Sequence, residues 1–371
     1  MHGRGGHIRH PRRLFAAVGV TSVAAVSAVA GLPFIGGTGA PAPQPAPPPS
    51  APGDGPDLFA PSSFWNKPLA ASAPVDPSSK QLVTALAFEV ARERARGDGP
   101  WIQTHESSTP LYTVPADQPT VTVHLDRPAR AWNASMRSAL SAVPLPPKAR
   151  PAYGSDRHLT VWQPSTDRLW ELYRAHRAAD GWHAGWGGAI QHVSANPGYY
   201  DGTAWHGARP DWGATATSLP VIGGTMLVRE IESGHINHAL AFNVPDARAN
   251  VFAWPAQRSD GTGPTSDLPE GARLRLDPTL DVASLNLPPL ARMMAEAAQR
   301  YGIVVRDRTH QATAFFAEDT SPSGNDPYHG ANGLFGGQMP DEVLANFPWK
   351  RLQVLKMRLC TSAPCSRGGS P

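Results

Sequence analysis

After residue 97 the sequence is cut by Pro, Gly and Asp into short apolar runs, and this punctuation limits what the chain can build. Proline fixes φ and removes a hydrogen-bond donor, and glycine weakens regular structure, so long helices and long central strands are both disfavoured. "LYTVP", "TVTVHL", "HLTVWQP", "LWELYRAHRA", "WHAGWGGAIQHVS" and "HALAFNVP" read as strands bounded by turns, as do "VFAWPA", "ARLRLDP", "IVVRD", "TAFFAED" and "RLQVLKM". Two stretches have a helical period instead. Residues 80–97 set Leu82, Val83, Leu86, Phe88 and Val90 mainly on one side and stop at Gly97. Residues 288–302 open on prolines and close on Gly302. Many short strands with two main helices packed on them predict a mainly β chain, an antiparallel β-sandwich or jelly roll. Helices do not alternate with strands, which disfavours a parallel α/β fold, and dinucleotide and phosphate-loop fingerprints are absent.

The first 56 residues read differently. A basic head, an apolar run from Leu14 to about Ile35 and small residues at Ala28–Ala30 have the layout of an export signal. Arg12 and Arg13 ahead of Leu14 are compatible with twin-arginine export, and the run is long enough to stay as a membrane anchor. Residues 41–56 are a proline-rich tether, which leaves 57–371 as a single β-sandwich domain with a short tail. Of the 33 Lys and Arg, four Arg lie in the first 40 residues, which hold no acid; 29 basic residues then face 30 Asp and Glu. The basicity belongs to the leader, and the absence of a basic run or aromatic–basic interleaving excludes a nucleic-acid surface. In an exported chain, Cys360 and Cys365 are expected to close a small disulfide in that tail.

"ESGHINHALAF" (232–242) is the densest polar cluster that runs into a core element. In a strand, residues three apart face opposite ways, so His235 and His238 do not form a metal site by themselves. Alternation puts His238 on the side of Ile236, Leu240 and Phe242, as a candidate general acid/base. Its partner is expected from "RLWELY", where Glu171 and Tyr173 share a face opposite Trp170 and Leu172. Asp307 in "VVRDRT" and Glu318 in "FFAEDT" each end a strand and complete the candidate catalytic set. The 11 Trp, several beside Gly or His, suggest ligand-lining loops, because aromatic faces stack on sugars while amides and carboxylates bind hydroxyls. Candidate substrate-binding residues are Trp162, Trp186, His192, Asn237, Trp254 and Asp260. No metal or other cofactor is expected, and no serine-nucleophile elbow is present.

The blocks "GHINHAL" (234–240) and "YGIVVRD" (301–307), together with "WPAQRSDG" and "PEGARLRLDP", resemble a broad group of exported, mainly actinobacterial proteins. These share G-x-I-x-H-A-L and YG-x-x-V-x-D. The resemblance covers about 150–320, implies export and relatedness, and transfers no catalytic role. The expected function is a secreted, monomeric, carbohydrate-active protein that cleaves an extracellular or cell-wall polysaccharide. Glycoside hydrolysis is favoured over polysaccharide lyase chemistry. The alternative is a non-catalytic glycan- or wall-binding module. A membrane contact is expected only through the leader.

Overall fold

The computed structural model describes residues 58–126, 134–320, 324 and 326–365; the export-signal and tether readings lie outside the described residues. Among the described residues there are five α-helices: α1 (Ser79–Arg96), α2 (Ala134–Ala139), α3 (Val228–Ser233), α4 (Pro289–Arg300) and α5 (Pro340–Val343). The strands before the central loops are β1 (Trp101–Gln103), β2 (Leu111–Thr113), β3 (Val123–Leu125), β4 (Leu159–Gln163), β5 (Arg168–Tyr173), β6 (His176–Ala178), β7 (Gly181–Ala184) and β8 (Trp186–Gln191). After them come β9 (Leu240–Val244), β10 (Phe252–Ala253), β11 (Arg273–Leu276), β12 (Ile303–Arg308), β13 (Ala314–Phe316), β14 (Leu352–Val354) and β15 (Leu359–Cys360).

The chain is mainly sheet, as the short runs predict, but the pairing is mixed. A six-stranded sheet runs β1-β13-β9-β12-β11-β14, a four-stranded sheet β2-β4-β5-β8, a three-stranded sheet β3-β7-β6, and β10 pairs with β15. Parallel pairs join β1 to β13, β9 to β12, β2 to β4 and β3 to β7. This corrects the wholly antiparallel expectation. Hydrophobic alternation says which face of a strand is buried and is silent on the direction of its neighbour. The β9-to-β12 connection includes α4, the kind of long crossover that parallel neighbours need.

The six-stranded sheet separates two cores. Along β12, Ile303 and Val305 enter one core and Val304 the other. Along β9, Leu240, Phe242 and Val244 enter the first. Both long helices pack on that side: α1 through Leu82, Val83, Leu86 and Val90, and α4 through Leu290, Ala291, Met294 and Ala298. Phe88 departs from the expectation, being 66% exposed, because a residue two beyond Leu86 lies roughly 200° around the helix. Phe242 and Phe315 meet at 5.0 Å between ring centroids, with Trp349 6.0 Å from the first and 5.8 Å from the second. Truncating such a ring costs about 3–5 kcal/mol.

The second core holds Trp65, Trp162, Trp170, Trp182 and Trp212 between the smaller sheets and their loops. Much of the tryptophan excess therefore fills a core instead of lining ligand loops. The tail disulfide between Cys360 and Cys365 forms as expected and packs with Phe252, Trp254 and Ala256.

Candidate active site

Simple alternation along "IVVRDR" would turn Asp307 toward the same core as Val305. A β-bulge prevents this. Val305 pairs with Phe242 of β9, while Asp307 pairs with the next residue, Asn243, so Arg306 is an extra residue on β12. Bulges of this kind bend a strand and re-aim its side chains. Asn243, Arg306 and Asp307 all line a cavity of about 660 Å³.

One wall of the cavity is the loop from Gly213 to Val221, held by two carboxylates. Glu171 on β5 is fully buried and accepts from the backbone N–H of Ala214 and of Val221, each at 2.7 Å. Asp307 Oδ2 accepts from Ala216 N–H at 2.8 Å, and Asp307 Oδ1 from Arg308 N–H at 2.8 Å. Thr217 Oγ1 donates to the carbonyl of Arg306 at 2.6 Å, and Arg258 donates to the carbonyl of Thr215 at 2.7 Å. His158 sits 3.1 Å from the carbonyl of Ala214; burial pulls its imidazole below the ordinary range and keeps it neutral. A carbonyl only accepts, so the proton lies on His158 Nε2. Arg306 is buried over the face of Phe316, 4.4 Å from its centroid, and remains charged with its pKa drawn down to about 10 by burial.

Three acids converge at the cavity edge. Carboxylate oxygens of Asp260, Glu270 and Asp307 all lie within 4.8 Å of one another. Glu270 is fully buried; its Oε2 accepts from Asp260 N–H at 3.1 Å, and its Oε1 has no hydrogen-bond partner among the described residues. Burial, then the charge of Asp307, pushes Glu270 up to about 8. Burial also pushes Asp307 up, to about 6. Like charges this close do not both ionise readily, so the pair shares a proton near neutral pH. Asp260, by contrast, is exposed and pairs with Arg308 Nε at 2.9 Å. One proton retained on a buried pair, beside a third carboxylate that is solvated and ion-paired, is a division that acid/base catalysis uses. Asn243, 7% exposed, presents beside Asp307 a buried Oδ1 that has no hydrogen-bond partner among the described residues. Trp101, Tyr173 and Trp186 add aromatic surface.

Of the residues singled out from sequence, Tyr173, Trp186, Asp260 and Asp307 line this cavity. Glu171 and Tyr173 do share a face of β5 opposite the buried Trp170 and Leu172, but Glu171 lies behind the cavity wall and anchors it. His238 is elsewhere. It precedes β9 instead of lying within it, and with Asn237 and Trp65 it lines a separate cleft of about 30 Å³. Its Nε2 meets Glu230 Oε2 at 3.1 Å, so its partner is the helix-starting carboxylate of α3 and not Glu171 or Tyr173. Glu318 also serves α3, accepting from Val228 N–H at 3.1 Å. Trp162 is core, His192 is an exposed residue with φ 56° after β8, and Trp254 packs edge-on against Phe64 and Tyr199.

Glu270, Asn243 and His158 were missed. The signal for Glu270 was local: Gly271 follows it at φ 82°, in a turn where an added Cβ would sit 1.9 Å from the carbonyl oxygen of Ala253. Only glycine fits there, and the tight turn delivers Glu270 into the interior. Comparison with protein-family models, with curated proteins and with solved structures finds no match to this chain.

Proposed function

We propose that this chain is a secreted carbohydrate-active enzyme that hydrolyses glycosidic bonds of an extracellular or cell-wall polysaccharide in the cavity beside Asp307. The observation that carries this reading is the convergence of Asp260, Glu270 and Asp307, with burial raising both Glu270 and Asp307. Asp307, which reaches the cavity, delivers the proton it shares with Glu270 to the leaving oxygen. Asp260, paired with Arg308 Nε at 2.9 Å, acts as the second carboxylate. Glu270 is a positioning residue that keeps the proton on the pair. Oxygens within 4.8 Å favour the closely spaced, retaining arrangement, whose carboxyls stand roughly 5–5.5 Å apart, over the wider inverting one. Trp101, Tyr173 and Trp186 give sugar rings apolar faces to stack on. The Cys360–Cys365 disulfide supports an oxidising, extracellular setting.

The test is a panel of polysaccharides incubated with the purified protein, read for reducing ends and for unsaturated products by ultraviolet absorbance. New reducing ends without absorbance, lost in Asp307→Asn and Asp260→Asn, support hydrolysis by this site. Polymer binding without shortening would make the chain a glycan-binding module instead.

A further inference from the structure

The three-stranded sheet β3-β7-β6 carries a second cluster, none of whose members lines the cavity. His124, His183 and His176 stand in register across its three strands. Residues in register on neighbouring strands project from the same face, and here the rings are neighbours: centroids are 5.3 Å apart for His124 and His183, and 5.5 Å for His176 and His183. Asp126, two residues past His124, places Oδ1 3.6 Å from His176 Nε2 and 3.6 Å from His183 Nδ1.

The far nitrogens of the two rings decide what the near ones carry. His176 Nδ1 lies 3.0 Å from the carbonyl oxygen of Arg174, which only accepts, so Nδ1 holds the proton. His183 Nε2 lies 2.9 Å from Asp180 Oδ1, a carboxylate that likewise only accepts. In the neutral rings, His176 Nε2 and His183 Nδ1 therefore turn bare lone pairs toward an anionic oxygen. Three electron-rich atoms facing one another need a positive centre between them.

We propose that Asp126, His176 and His183 form a binding site for a borderline divalent transition metal, Zn²⁺ first, with the His124 ring packed beside His183. A tetrahedral ion bound at about 2.0–2.1 Å holds its ligand atoms roughly 3.4 Å apart, close to the 3.6 Å separations here. Two imidazoles and a carboxylate select zinc, nickel or copper over calcium and magnesium, which prefer all-oxygen sites. Asp180 and the Arg174 carbonyl are the outer acceptors that metal-bound histidines use to set tautomer and ring orientation. The cluster is partly exposed, so an ion enters from solvent without opening the fold.

The full chain, prepared without a histidine tag and stripped with chelator, is titrated with ZnCl₂ by calorimetry. A parallel titration with Co²⁺ is read for the visible bands of a tetrahedral ion. Because the chain holds 14 His, the variants carry the test. The wild type should bind one equivalent at this site, the pair His176→Ala with His183→Ala should abolish that event, and Asp180→Asn should weaken it by about 10–100-fold. Asp126→Asn, near-isosteric and on the surface, removes a ligand without removing packing; circular dichroism checks folding of every variant. Absence of saturable Zn²⁺ binding to the wild type overturns the proposal. So does a binding event that survives unchanged in the folded double-histidine variant or in Asp126→Asn.

Discussion

Asp307 stands opposite Asn243 in the parallel pairing of β12 with β9, one register step short of Val244, which an unbroken ladder would put opposite it. The inserted Arg306 makes the difference. Without it the carboxylate would face the hydrophobic core of Val305 and Phe242; with it the carboxylate meets Glu270 and Asp260. A general acid contributes about 10²–10⁴-fold, so Asp307→Asn is expected to lower polymer cleavage by that factor with circular dichroism unchanged. Wild-type rates in this variant would remove Asp307 from the chemistry.

Glu171 is expected to matter for stability before chemistry. Glu171→Ala leaves the N–H groups of Ala214 and Val221 without acceptors in a buried setting. Each such loss costs about 1–3 kcal/mol, so urea denaturation should show a destabilisation of roughly 2–6 kcal/mol. Glu171→Gln keeps one acceptor and should lose less. An unchanged midpoint for the alanine variant would mean that the loop is held by other bonds.

Stability should fall as pH rises above about 5. Burial drives Glu171 up to about 7 and Glu270 up to about 8, with Asp307 raised to about 6 by the same cause. The unfolded chain releases these protons near pH 4, and the folded chain retains them. The stabilisation they carry is therefore complete below pH 4 and is lost as pH climbs through the folded values. Asp277 works in the other direction, held at about 2 by Arg351, so its stabilisation is lost only in strong acid. Scanning calorimetry from pH 4 to 9 should show a declining melting temperature above pH 5, with a shallower slope in Glu171→Gln. A rise across that range would contradict the raised values.

His238→Ala is expected to weaken the fold and spare the active site. Burial pushes Glu230 up, but the charge and hydrogen bond of His238 outweigh it and hold the carboxyl below its usual range. Glu230 also accepts from Leu227 N–H at 2.9 Å to start α3, so removing the imidazole strands a carboxylate that a helix depends on. A loss of about 1–3 kcal/mol is expected from thermal melts, with cleavage rates kept within about twofold at temperatures below the transition. Lost cleavage at full stability would return His238 to the chemistry.

The sequence alone determined the elements. Period-2 runs and proline-bounded helices are set by contacts a few residues apart, so β4, β5, β9, β12, α1 and α4 were legible, as was the Cys360–Cys365 pair. It also identified Asp307, Asp260, Tyr173 and Trp186 as site candidates, because chemistry-bearing residues at strand ends and in glycine-rich loops stand out against a core. The tertiary structure decided which strands lie parallel, since direction depends on crossovers and leaves no periodic mark on either strand. It decided which carboxylates meet: a one-residue bulge turned Asp307 to Glu270, a glycine-only turn delivered Glu270, and a helix start claimed both Glu230 and Glu318. The three histidines of β3, β7 and β6 lie up to 59 positions apart in the chain and become neighbours only when register across the sheet is set. Alternation specifies a face within one strand; convergence of side chains from several strands is set by register and bulges, and those follow from packing of the whole domain.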